Sequence, residues 1–127
     1  MADFLWVGIG GLLGSMARYA VALAFAGAPA SSRFPVATLI VNLVGCALIG
    51  VLAGWFERNA ALGAGLRLFL LTGVLGGFTT FSAFGLETIT LLRRGEPALA
   101  LAYVAASVVL GLLAVWLGLR LAGSPGL

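Results

Sequence analysis

The sequence predicts an all-α integral membrane protein with four transmembrane helices. Three observations carry that reading. The 127 residues are 62% apolar and only 9% charged, against roughly 25% charged residues in a soluble domain. Mean hydropathy is +1.19. Four stretches, about 4–26, 35–56, 66–92 and 97–122, each reach the roughly 20 apolar residues that a membrane helix needs. They fill the chain, so residues 1–127 are expected to form a single four-helix transmembrane domain.

The first stretch has no basic leading region and carries Asp3, so it reads as a retained span and not as a secretion signal. Pro29, Ser31, Ser32 and Pro35 mark the first connection, and Glu57, Arg58 and Asn59 open the second. Arg93, Arg94, Gly95, Glu96 and Pro97 make a short turn with proline at a helix start. The tail from Gly123 through Ser124 and Pro125 to Gly126 ends the fourth span. Gly10/Gly14, Gly50/Gly54 and Gly73/Gly77 have the spacing that lets membrane helices approach closely, which predicts a compact bundle without a wide aqueous lumen.

The third stretch differs from the others. Its middle, Gly76-Gly77-Phe78-Thr79-Thr80-Phe81-Ser82-Ala83-Phe84, holds two glycines, three hydroxyls and three phenyl rings. Each glycine weakens a helix by about 1 kcal/mol relative to alanine, and threonine hydroxyls compete with the helical ladder. A break there would free backbone carbonyls, which are hard oxygen ligands suited to a small alkali cation. A continuous helix with small packing residues is the equal alternative. Phe81 and Phe84 share a helix face, and Phe78 is expected to extend the row. A phenyl ring has an electropositive edge, so such a row either packs as an ordinary aromatic stripe or meets an anion without a formal charge.

Thr38 and Asn42 are four apart in the second span, as are Tyr103 and Ser107 in the fourth. Together they predict a seam of hydrogen-bond donors down the bundle. No acidic cluster accompanies it, which favours an anion as the permeating species. Arg18 lies deep in the first span and either snorkels to an interface or draws anions into a vestibule. Glu87, one turn beyond Phe84, is free to titrate or to pair with an arginine, and position alone gives it no transport role.

Composition also excludes functions. The single Cys46 rules out an internal disulfide, and histidine is absent. The charge of +3 comes from seven scattered arginines, not from a basic face that would bind nucleic acid. No nucleophile–base pair or metal cluster supports an enzyme. Near the membrane ends, Arg58, Arg67 and Arg120 lie on the side of the termini and Arg33, Arg93 and Arg94 on the other, three against three. Arginine and lysine bias normally fixes orientation. The tie predicts insertion in both directions, with an antiparallel homodimer as its product, unless other features orient the chain and the tie is coincidence. Trp6, Trp55 and Trp116 fall near the terminal side, where indole rings anchor.

Three segments resemble a known family. Gly10 to Tyr19 (GGLLGSMARY), Phe34 to Asn42 (FPVATLIVN) and Gly76 to Phe84 look like the three signatures of the Fluc (CrcB) fluoride channels of bacteria, and the likeness extends to Tyr103 and Ser107. The resemblance implies a fluoride channel of the bacterial inner membrane that lowers cytoplasmic fluoride. It implies an antiparallel dual-topology homodimer in the lipid bilayer, its third helix broken mid-membrane. A structural sodium ion at the dimer centre is implied, held by the backbone carbonyls of Gly76 and Thr79. Phe81 and Phe84 would present ring edges to the fluoride pore, with Asn42, Thr38, Ser82, Tyr103 and Ser107 as its polar lining and Arg18 near a vestibule. The chain departs from the family at Ala37, often glycine there, and at Ala83, often threonine. The competing expectation is a small dual-topology multidrug exporter. That mechanism needs a carboxylate inside the first span, where the only acid is Asp3 at the edge. A helper subunit without transport would leave the polar seam unexplained.

Overall fold

The computed structural model describes residues 1–27 and 34–123. Arg33, most of the first connection and the tail beyond Gly123 lie outside them. The described residues form helices α1 (Ala2–Phe25), α2 (Val36–Arg58), α3 (Ala64–Arg67), a π-helical stretch (Leu68–Leu75), α4 (Gly76–Phe78), α5 (Phe81–Arg93) and α6 (Pro97–Leu121). Four spans of 24, 23, 30 and 25 residues are long and apolar enough to cross a membrane, the third running from Ala64 to Arg93. At about 1.5 Å per residue even the shortest exceeds the roughly 30 Å hydrocarbon layer. This is a multi-pass membrane protein.

Two helix pairs make the bundle. α1 packs along the π-helical stretch and α4, α2 packs along α6, and α5 leans on α6. The third span therefore changes neighbour halfway, from α1 to α6. Glycines line the tightest contacts. A Cβ on Gly14 would run into the Val74 carbonyl, one on Gly77 would come within 2.5 Å of the Gly11 carbonyl, and one on Gly118 within 2.6 Å of the Ala47 carbonyl. Gly50, opposite Gly118, abuts the Val115 carbonyl. The buried apolar set is small: Val41, Phe56, Leu75, Leu91, Ala100 and Tyr103. Many large apolar side chains face outward, among them Leu12, Leu86, Leu101 and Leu112. That inversion fits a lipid solvent, in which close backbone approach and not side-chain burial drives helix association.

The Arg93–Pro97 turn follows from its residues. Gly95 takes φ 75°, a left-handed conformation that glycine adopts without a Cβ penalty. Its N–H donates to the Leu92 carbonyl and that of Glu96 to the Leu91 carbonyl, both at 3.0 Å, which closes α5 with a Schellman pairing. Pro97 then starts α6 where no N–H is needed.

Gly14→Ala is expected to destabilise the protein by about 1–3 kcal/mol, because the third-span backbone at Val74 and Phe78 crowds the added methyl. Gly8→Ala, with open space around it, should leave the thermal midpoint in detergent unchanged or slightly raised.

Candidate functional site

The site is built on two residues of the third span. Thr79 (φ −80°, ψ 158°) and Thr80 (φ −149°, ψ 114°) are extended, between α4 and α5. Local chemistry supports the change. The Thr79 hydroxyl donates back to the Leu75 carbonyl at 2.9 Å. The Thr80 hydroxyl caps α5 by accepting from the Ala83 N–H at 3.2 Å. Gly45 on α2 leaves room for the Thr79 methyl, which a Cβ there would strike.

Extended residues release backbone groups that an apolar span cannot leave bare. Neighbouring helices supply the partners. Asn42 on α2 accepts from the Thr80 N–H through Oδ1 at 2.8 Å and donates from Nδ2 to the Thr80 carbonyl at 3.1 Å. Arg18 on α1 donates from Nε to the Gly77 carbonyl at 3.2 Å. The Thr80 N–H would have bonded the Gly76 carbonyl in a continuous helix. Turned to Asn42, it leaves that carbonyl without its helical donor.

A cleft of about 340 Å³ opens beside this stretch. Asn42, Gly76, Thr79, Phe81, Phe84 and Ser107 line it, so the fold unites six of the residues singled out from sequence. Phe81 is 84% exposed on the single chain and lies against Phe84, ring centroids 5.6 Å apart at 40°. Phe78 leaves this row, since two extended residues separate it from Phe81; its ring turns toward Gly45 instead. The Ser107 hydroxyl is buried with no hydrogen-bond partner among the described residues.

The expected donor seam divides in two. Thr38 and Tyr103 do not line the cleft. Both hydroxyls donate to Glu87, Thr38 to Oε1 and Tyr103 to Oε2, each at 2.7 Å. Tyr103 is fully buried, its ring 5.2 Å from Phe84 and 5.5 Å from Phe34. Phe84 thus touches both the cleft-side ring of Phe81 and the Glu87 cluster. Ser82 is exposed, its Oγ 3.4 Å from that of Thr80. Among the described residues, Glu87 pairs with hydroxyls and not with an arginine.

Two residues carry more than sequence reasoning gave them. From sequence Thr80 reads only as one of two threonines whose hydroxyls compete with the helical ladder. Glu87 had a signal: Asp3, Glu57 and Glu96 sit at helix ends, so it is the one acid well inside a span. A carboxylate at that depth needs donors.

Residues 5–119 match the family described as "CrcB-like protein, Camphor Resistance (CrcB)". The chain belongs to the CrcB family. Proteins named "Fluoride-specific ion channel FluC" are similar to it over nearly their whole length. The one from Paracoccus denitrificans is 54% identical, covering 91% of this chain and 90% of the relative. That from Novosphingobium aromaticivorans is 50% identical, covering 95% and 96%. That from Methylobacillus flagellatus is 44% identical, covering 95% and 94%. The relatives' printed names are those of ion channels, a class outside the enzymes. The matched segment of the CrcB chain takes in both Asn42 and the Thr79–Thr80 stretch.

Glu87→Leu should leave the Thr38 and Tyr103 hydroxyls without an acceptor, at about 1–3 kcal/mol for each unsatisfied group. Glu87→Gln retains one acceptor oxygen and is expected to lose less. Thermal melting of the purified protein in detergent reads both.

Proposed function

We propose that this CrcB protein is a fluoride-selective channel of the bacterial inner membrane, exporting fluoride and lowering its cytoplasmic concentration, and that it works as an antiparallel dual-topology homodimer. The observation that carries the reading is the cleft itself. It has hydroxyl, amide and phenyl groups on its walls and no ionised side chain among its lining residues. The names of the similar proteins support fluoride as the ion and lend nothing to a multidrug exporter.

Fluoride is small and strongly hydrated, so its passage needs groups that replace water. Phe81 and Phe84 offer ring edges with positive electrostatic potential. Ser107 offers an unengaged hydroxyl, and Asn42 keeps one amide hydrogen beyond the one it gives Thr80. None of these carries a full charge, so an anion can leave as well as enter. The 84% exposure of Phe81 on a single chain fits a pore closed by a second copy. In that arrangement the extended Thr79 and Thr80 stand as a break of the third helix at mid-membrane depth.

The carbonyl chemistry fits a sodium ion. The Gly76 carbonyl has lost its helical donor, and a backbone oxygen is the hard ligand that an alkali cation takes. Gly76 and Thr79 would hold the ion. When bound, it would supply a fixed positive charge against the carbonyl dipoles where two chains meet. Thr38, Tyr103 and Glu87 form the polar continuation beyond Phe84, and Arg18 holds the backbone at Gly77 and is half-buried.

Proteoliposomes loaded with sodium fluoride or sodium chloride test the proposal. Fluoride is expected to leave rapidly and electrogenically while chloride stays. Proton-coupled uptake of a cationic drug, or equal loss of both halides, would overturn it. Phe84→Ile should slow fluoride efflux by on the order of tenfold or more with assembly intact, since losing a preorganised electrostatic contact costs a few kcal/mol. C-terminal reporters that showed a single orientation would exclude dual topology.

A further inference from the structure

We infer that Asn42 is a positioning residue for the backbone cation site, setting the direction of the Gly76 and Thr79 carbonyls through Thr80, and that its share in fluoride contact is secondary. The inference rests on the cation reading above and deepens it.

Three observations carry it. Asn42 engages both backbone groups of Thr80, as acceptor at 2.8 Å and donor at 3.1 Å, and so does for that residue what the next helical turn would have done. Bonding at both ends fixes the peptide planes on either side of Thr80. The plane on the N-terminal side contains the Thr79 carbonyl, because the Thr79 C=O and the Thr80 N–H belong to one planar peptide unit. Holding that N–H toward α2 points the Thr79 oxygen the opposite way. The same bond denies the Gly76 carbonyl its helical donor, leaving the oxygen open to another partner. One side chain thus orients one of the two oxygens and frees the other.

The amide's geometry also restricts its other use. Oδ1 is occupied and Nδ2 has given one of its two hydrogens to Thr80. At most one donor remains for an anion, and turning the amide to improve that contact would break the pair with Thr80. Gly45 belongs to the same arrangement, one turn along α2, where its missing side chain admits the Thr79 methyl. α2 therefore shapes the Thr79–Thr80 stretch at both of its residues.

The test measures sodium-dependent stability as well as flux. Wild-type protein and Asn42→Ala are melted in detergent across a sodium titration, with N-methylglucamine holding ionic strength. The wild type is expected to melt higher as sodium rises. Asn42→Ala should need on the order of tenfold more sodium for the same shift, corresponding to the loss of two hydrogen bonds. Asn42→Asp, which keeps the acceptor and loses the donor, should fall between them and serves in place of the alanine variant if that does not assemble. Phe84→Ile is the comparison that slows fluoride efflux without moving the sodium midpoint. Asn42 variants that slow efflux yet keep the wild-type sodium midpoint would overturn the positioning role and leave a fluoride ligand. A wild type whose melting ignores sodium would remove the cation reading itself, and this inference with it.

Discussion

The rest of the site depends on one constraint: a peptide group released from a helix inside an apolar span needs a partner from within the protein. Water would meet that need in a soluble fold, but hydrocarbon cannot. Here the extended residues are Thr79 and Thr80, and partners for the backbone of this stretch come from two other helices, Asn42 from α2 and Arg18 from α1. Gly14 against Val74 and Gly77 against Gly11 bring α1 and the third span into backbone contact, and Gly45 leaves room for the Thr79 methyl. The glycines that read as generic packing residues are thus what makes the extended stretch affordable in this solvent.

The same constraint accounts for Glu87. An intramembrane carboxylate is costly unless its oxygens are hydrogen-bonded. Thr38 and Tyr103 supply one donor each, and the rings of Phe84 and Phe34 pack against the tyrosine. The donors that looked like one seam are two populations. Those around Glu87 are already engaged; at the cleft, Ser107 has no partner among the described residues and Asn42 keeps one amide hydrogen. A pathway for a hydrated anion needs open donors where the ion is stripped of water, and committed ones elsewhere to keep the bundle in register.

Several features were legible because they are written in local chemistry. The four spans follow from apolar length, and their ends fall within two residues of the sequence estimates. The turn at Gly95 and Pro97 follows from a glycine that can take positive φ and a proline that needs no donor. The run from Gly76 to Phe84 was identifiable as exceptional from composition, though spacing left a continuous helix as good an account as an interrupted one. The π-helical turns at Leu68–Leu75 had no signal, since LFLLTGVL is as good an α-helix as its neighbours.

By itself the sequence determined what kind of object this is, a four-span membrane protein with one polar run, because length and apolarity against a fixed bilayer thickness leave little choice. It also determined which residues were unusual at their depth. Only the tertiary structure decided what each one touches. That Asn42 grips Thr80, that Thr38 and Tyr103 converge on Glu87, and that Phe78 leaves the phenylalanine row all depend on contacts between helices far apart in the chain. A period along one helix places a side chain on a face, but the neighbour waiting at that face is set by the close backbone approaches at glycine, which no single segment encodes.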